Sequence, residues 1–454
     1  MTAELKEFAA IPSVSTDPAH AADIQAAADW VAAKLAAAGP IAVTRFETNG
    51  NPVIYGEWLG APGKPTVLVY GHYDVQPPDP LDKWHSPPFV PTERDGRLYA
   101  RGVSDDKGPM LIPIKVAESF FATEGALPIN VKFMFEGEEE IGSPSLEPFI
   151  RAHTGLLAAD VVLSADGAMW RIDEPSLTVA SRGLIGLELT LTAASKDLHS
   201  GRHGGAVANP LNAMARLIAS LHDADGRVAV GGFYERVRKL SAAERQAILG
   251  LPFKDSDYLA QVGAPATFGE PGYSTLERLW TRPTLDVNGM WGGYQGPGQK
   301  TVIPSEAHAK ITCRLVADQD PDEIMSLVAI HLERHTPTGT RLVIESSDHG
   351  ARPYRIDDDH FALRAASDAL AAVYGPRPLV VSMGGTVPVC EIFKRVMGID
   401  TVFFSFSTAD EDYHAPNEFF RIHRLHEGVE AWARLFVILR ERSEQEDLLL
   451  RSPD

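Results

Sequence analysis

Several metal-ligating residue types stand directly after short apolar runs in this chain. His72 and Asp74 follow TVLVY (66–70), Glu139 and Glu140 follow INVKFMF (129–135), and Asp166 follows DVVLS (160–164). His414 lies beyond TVFFSFS (401–407), and Asp105 stands in RGVSDDKG, just ahead of another apolar stretch. Taken singly, each is an ordinary capping, turn or surface residue. Asp105 suits a helix N-cap, Asp166 suits a turn before Gly167, and Glu138–Glu140 reads as a solvated charge run. Their collection at strand ends changes that reading. The three carboxylates of Asp105, Glu140 and Asp166 and the imidazoles of His72 and His414 would repel and desolvate one another in one cleft unless cations lay between them. Two divalent ions account for the set. Imidazole with carboxylate suits zinc first, and also manganese or cobalt. One carboxylate can bridge two ions roughly 3.5–4 Å apart, and a water between them is acidified toward a pKa of ~7. A further carboxylate would take its proton as general base. The adjacent pair Glu139–Glu140 can divide those roles, one on metal and one on water.

The elements that must hold these residues are legible from periodicity. Residues 20–38 place Ile24, Ala27, Trp30, Val31 and Leu35 on one helical face, with Gly39 as a stop. TVLVY and DVVLS read as strands buried on both faces, and Met110, Ile114, Ala117 and Phe121 recur at helical spacing. Strand alternating with helix predicts an α/β fold with a mixed, mostly parallel sheet flanked by helices. Ligands gather at the carboxyl ends of the strands in such sheets. The strand at 401–407 implies that one sheet is built from both ends of the chain. Between them, LIGLELTLTAAS (184–195) and AHAKITCRLVA (307–317) alternate, with a helix in NPLNAMARLIASLHD and a Gly/Pro-rich stretch from about 262 to 300. This predicts one domain of residues 1–181 and 352–454, with a separate α+β domain, 182–351, inserted into it.

Bulk properties narrow the partners. At 454 residues and 44% hydrophobic content the chain can build more than one core. A formal net charge of −19 disfavours nucleic acid and anionic membranes. No apolar run has transmembrane length, and MTAELKEFAAIPSVS lacks the h-region of a signal peptide. Cys313 and Cys390 are the only cysteines, which fits a reducing, cytoplasmic setting.

The motifs GHYDVQP (71–77), GRLYARGVSDDKGP (96–109), FEGEEEIGS (135–143), DLHSG (197–201), KTVIP (300–304) and HAPNE (414–418) run in order along nearly the whole chain. In these motifs the chain resembles the M20 metallopeptidase family, in its carnosinase-like, cytosolic nonspecific dipeptidase branch. The resemblance implies that His72 and Asp166 bind one metal, Glu140 and His414 a second, and that Asp105 bridges both. It implies Glu139 as general base and Asp74 as the carboxylate that orients His72. Glu138 falls at the variable position of the EG-x-EE-x-G-S motif, and the peptide Asp105–Asp106 is expected to be cis. The inserted domain becomes a lid and dimerisation domain. His199 in DLHSG would stabilise the oxyanion, reaching the metals of a twofold partner. Arg314 would pair with a substrate carboxylate, and Thr301 would contact substrate from the lid. Gly384, Gly385 and Thr386 in MGGTVP would form a second carboxylate cradle, while His203 has no assigned role. The implied activity is hydrolysis of the peptide bond in dipeptides or similar small peptides with a free C-terminal carboxylate, by a homodimer. The alternatives are an N-acyl amino acid deacylase or desuccinylase on the same fold, and a non-catalytic scaffold.

Overall fold

The computed structural model describes residues 1–346 and 350–451. Residues 347–349 and 452–454, which the expected domain ranges include, lie outside the described residues. The chain divides into two compact units, Met1–Val179 with Ile356–Val381 and Val389–Asp454, and Ala180–Arg355 with Ser382–Pro388.

In the first unit, six strands form one sheet in the order Ala42–Phe46, Val53–Trp58, Asn130–Glu136, Thr66–His72, Val161–Ser164 and Thr401–Phe403. The last four run parallel, and the first two attach antiparallel at one edge. Thr66–His72 is buried from Val67 onward because neighbours flank it on both sides. An unbroken run of apolar residues there is therefore a strand and not one face of a helix. Register fixes the strand ends: His72 pairs with Glu136 on one side, and Tyr70 with Ser164 on the other. The C-terminal strand joins the edge beside Val161–Ser164, so both ends of the chain do build one sheet. Helices Ala21–Ala37, Gly108–Glu124, Phe361–Tyr374 and Ile422–Arg451 cover it, burying faces such as Ile24, Ala27, Val31 and Leu35.

The second unit is an antiparallel sheet in the order Thr284–Gly292, Glu306–Leu315, Gly183–Thr192 and Arg341–Ser346. The strict alternation of Ile185, Leu187, Leu189 and Leu191 points these side chains to one face. There they pack with Met214 and Leu217 of helix Pro210–Ala219 and with Val328 and Leu332 of helix Pro321–His335. The Gly/Pro-rich stretch is more ordered than its composition suggests. Ser274 and Glu277 form a capping box that starts helix Thr275–Thr281. The edge strand Thr284–Gly292 follows, with an irregularity between Val287 and Gly289 that hides its alternation. Residues 382–388, expected with the flanking domain, cluster with this unit because their backbone hydrogen-bonds to it: Met383 N–H donates to Ala180 and Arg182 N–H donates to Gly385.

Candidate metal centre

His72 closes its strand fully buried, with Nδ1 3.1 Å from the backbone oxygen of Asp74 and 3.4 Å from its Oδ1. Acceptors on that side keep the hydrogen on Nδ1 and leave the Nε2 lone pair for a ligand. Nε2 lies 3.0 Å from Oδ1 of Asp105. The other oxygen of Asp105 lies 2.9 Å from Nε2 of His414, which is in turn 3.3 Å from Oε2 of Glu140. One carboxylate thus spans two histidines. The donor atoms form two sets, His72–Asp105–Asp166 and Asp105–Glu140–His414, each within 4.8 Å, and they share Asp105. The peptide Asp105–Asp106 is cis.

The loop that carries Asp105 is held by a residue from the far end of the chain. Glu418 is fully buried. Its Oε1 accepts from the N–H groups of Ser104 (2.9 Å) and Asp105 (3.2 Å), and its Oε2 from Gly102 N–H (2.8 Å) and Arg101 Nη1 (2.7 Å). Both oxygens face only N–H donors, a role no amide could fill. Asn417 fastens the same turn to residues 83–85, accepting from His85 N–H at 2.8 Å and donating to Lys83 O at 2.9 Å. Between these two anchors and the buried Glu411, which accepts from Ser104 Oγ at 2.6 Å, the turn reverses sharply, with φ +52° at Asp412 and +65° at His414. His414 is thereby held toward Asp105 while its side chain stays 52% exposed.

Glu139 and Glu140 lie in a tight turn, Glu139–Ile141, at the end of strand Asn130–Glu136. Asp74 organises this turn as well as His72, since its two carboxylate oxygens accept from the N–H groups of Glu139 (3.2 Å) and Glu140 (3.1 Å). Gln76 donates to Oε2 of Glu140 at 2.8 Å. Glu138 points elsewhere: Oε1 accepts from Asn51 N–H (2.9 Å) and Oε2 from Ser145 N–H (3.0 Å). Sequence reading assigned no role to Gln76, Glu411 or Glu418. Gln76 and Glu418 stand inside quoted motifs, but nothing in their residue type distinguishes an anchor from a surface side chain.

The electrostatics fit cations. Burial pushes Asp105 up, yet hydrogen bonds with His414 and His72 outweigh it and hold its carboxyl well below the usual range. Burial opposes protonation of His72, but Asp105 and Asp74 raise it well above an ordinary histidine. Hydrogen bonds with Asp105 and Glu140 lift His414 to about 10. Burial, reinforced by the charge of Asp105, raises Glu140 to about 7 and, though His72 opposes it, Asp166 to about 6. Glu139 is pushed well above 4.5 by burial and, against the pull of His72, by Asp166, Glu140 and Asp105. It shares their field without belonging to either donor set. Every group here gains by receiving positive charge, and an N/O donor set sharing one carboxylate has the chemistry of a two-ion divalent site.

The second unit brings its own predicted residues together in two places. His199 and Thr301 meet on a ribbon of Leu198–His199 and Val302–Ile303, where Ser200 N–H donates to Thr301 O at 3.0 Å. His199 is exposed, and its Nδ1 accepts from Gly201 N–H at 3.0 Å. His203 is exposed at the end of the helical turn Ser200–His203. Elsewhere Arg314 donates through Nη1 to Thr386 Oγ1 at 2.8 Å, beside Gly384 and Gly385.

The family model for peptidase family M20/M25/M40 matches residues 68–437. The chain belongs to that family. Its relatives include the human Beta-Ala-His dipeptidase (Homo sapiens), 31% identical over 390 residues, which cover 85% of this chain and 77% of that protein. The Cys-Gly metallodipeptidase DUG1 of Saccharomyces cerevisiae is 31% identical over 430 residues, covering 90% and 89% respectively. Among solved structures, the M20 family metallo-carboxypeptidase Sso-CP2 from Sulfolobus solfataricus superposes with a TM-score of 0.84 at 32% identity, covering 97% of this chain and 99% of that one. The resemblance to the carnosinase-like branch and the α/β fold expected from strand alternating with helix are both borne out, and this M20 member is a hydrolase of the metallopeptidase kind. Among the described residues, no helix is long and apolar enough to cross a membrane.

Proposed function

We propose that this M20 member is a two-metal dipeptidase acting on small peptides with a free C-terminal carboxylate. The observation that carries the reading is Asp105, whose two oxygens each face a different histidine. His72 and Asp166 would hold one ion, Glu140 and His414 the other, with Asp105 between them and zinc the first choice over manganese or cobalt. When bound, the ions would acidify a water and draw charge from the scissile carbonyl. Glu139, poised by burial among like charges to hold a proton, would take it from the attacking water and return it to the leaving amine. Asp74 would keep both His72 and the Glu139–Glu140 turn in place. Arg314, with Gly385 and Thr386, would grip the C-terminal carboxylate. His199 would donate to the developing oxyanion, with Thr301 beside it on the lid.

The first unit would thus be the catalytic domain and the second the lid and dimerisation domain. Strand Thr284–Gly292 supports the latter role: it is a sheet edge with Val287 and Met290 exposed, a ready surface for a second copy. A cytoplasmic setting is supported by Cys313 and Cys390, both free and buried.

A second reading, carboxypeptidase action on longer peptides, is favoured by the likeness to Sso-CP2. The two separate in a length series of Ala-Xaa, tripeptide and pentapeptide substrates, with N-acyl amino acids included, on protein stripped and refilled with each metal. A dipeptidase gives its highest kcat/KM on the dipeptides and falls steeply at three residues. Equal or rising rates with length favour the carboxypeptidase, and cleavage of the acyl amino acids alone rejects both.

A further inference from the structure

The second unit holds a concentration of positive charge that the carboxylate-binding reading does not use up. Arg182 stands just before strand Gly183–Thr192, two residues ahead of Leu184, the residue paired with Arg314. Strand periodicity sets Arg182 and Arg314 diagonally on one face. Both reach the same loop: Arg182 Nε donates to Gly384 O at 2.9 Å, and Arg314 Nη1 donates to Thr386 Oγ1 at 2.8 Å. A Cβ placed on Gly384 would come within 3.5 Å of Arg182 Nη2, so the guanidinium lies along the glycine backbone.

Among the described residues, neither arginine makes an ion pair. Other arginines of this unit do: Arg282 meets Glu270 at 2.6 Å, Arg245 meets Glu277 at 2.6 Å, and Arg352 meets Asp320 at 2.5 Å. The acid whose charge reaches Arg182 is Asp286, an exposed residue that accepts from Thr284 Oγ1 at 2.9 Å and pairs with neither guanidinium. Burial, followed by the charge of Arg314, pushes Arg182 down to about 10. Two part-buried, mutually repelling cations are costly to keep together without an anion. A single C-terminal carboxylate answers one of them.

We propose that Arg182 and Arg314 form a two-guanidinium cradle for a ligand with two carboxylates, so that the peptides preferred here carry Asp or Glu at the C-terminus. Arg314 takes the main-chain carboxylate and Arg182 the side-chain one, each by charge-assisted hydrogen bonds. This rests on the reading of Arg314 as the carboxylate anchor, and it names Arg182 as the residue that sets specificity.

The test uses the metal-loaded protein and two probes, glutarate and butyrate, titrated calorimetrically into wild type, Arg182→Gln and Arg182→Lys. Glutarate is expected to bind roughly 10- to 100-fold tighter than butyrate, the range of a charge-assisted hydrogen bond. Arg182→Gln is expected to bring that ratio near one, with butyrate affinity changing far less than glutarate affinity, and Arg182→Lys to keep part of it. In parallel, kcat/KM is measured for Ala-Glu and the neutral isostere Ala-Gln, with the preference for Ala-Glu expected in KM and not in kcat. Equal binding of the two probes by the wild type overturns the proposal. So does a glutarate preference that survives Arg182→Gln, because it then comes from chelation at the metal centre. Should the Gln variant fail to fold, a wild-type Ala-Glu to Ala-Gln ratio near one is itself decisive against it. Glutarate binding that depends on Arg182, without hydrolysis of either dipeptide, rejects the dipeptidase reading and leaves the cradle standing.

Discussion

The candidate metal centre of the first unit and the arginine loop of the second are opposite solutions to one problem. The first crowds carboxylates at strand ends and braces them with side chains from distant segments: Glu418 accepting from the Asp105 loop, Gln76 donating to Glu140, and Asp74 accepting from the Glu139–Glu140 turn. The second sets Arg182 and Arg314 against a glycine-rich loop, with backbone and hydroxyl oxygens as their only hydrogen-bond partners among the described residues. On the proposed reading the first site is braced from behind because an ion would have to find its ligands already aligned. The second site, on the same reading, is left unsatisfied because its missing partner would arrive with each substrate. The contrast teaches that unbalanced charge alone does not identify a site's role; the stiffness of its supports does.

The strongest way to break this comparison is at the shared carboxylate. Asp105→Asn should lose both ions together, with metal content per chain falling from about two to near zero and activity falling roughly 10³-fold or more as water acidification is lost. Retention of one tightly held ion, measured by elemental analysis after dialysis, would show that Asp105 does not bridge. Next in size is Glu139→Gln, expected to keep its metals while kcat falls by at least roughly 10²–10⁴-fold. Glu138→Gln should instead keep kcat and lower the melting temperature by a few degrees, since it anchors Asn51 and Ser145 and no reacting group. Reversed results would shift the base by one residue.

The bracing itself is tested by Glu418→Gln. The amide must turn its NH₂ toward N–H donors, so metal affinity should drop by about 10–100-fold, as expected for the supports behind metal ligands. A competitive chelator titration reads this directly, and wild-type affinity would reduce Glu418 to a packing role. The smallest effect concerns whether the two regions work in one chain or across two. Co-expressed Glu139→Gln and His199→Ala chains, isolated as mixed dimers through two affinity tags, should recover up to about half of wild-type activity per chain if His199 acts in trans, because each mixed dimer has one complete site of two. Mixed dimers as inactive as their parents would return His199 to its own chain or to no site.

Much of the first unit was legible because burial writes itself into composition. A strand flanked on both sides, such as Thr66–His72, needs apolar residues throughout, and its end is marked where ligand types begin. The order of units along the chain was readable for the same reason. Strand Thr284–Gly292 was not, because an edge strand with an irregular register and exposed side chains lacks alternation. The five ligand-type residues followed from residue type and position and their division into two sets from the family motifs, whereas the supports other than Asp74 did not. Glu418 contributes a carboxylate like any other, and only the fold reveals that four N–H groups from residues 101–105 converge on it. Arg182 carries no signal in the sequence, because an arginine's lack of an acidic partner is a property of its three-dimensional surroundings.

The reach of Glu418 across the chain has a consequence for biosynthesis. His72, Asp105, Glu139, Glu140 and Asp166 all precede the Ala180–Arg355 segment of the second unit in synthesis, while His414 and the anchor at Glu418 follow it. At typical elongation rates roughly 12 to 50 s separates the two groups. During that interval the nascent chain carries the acids of the centre without the second histidine, and the Asp105 loop without its clasp. Ions captured early would meet an incomplete and loosely held ligand set, so the proposed two-ion site would be complete only once His414 and Glu418 have been made.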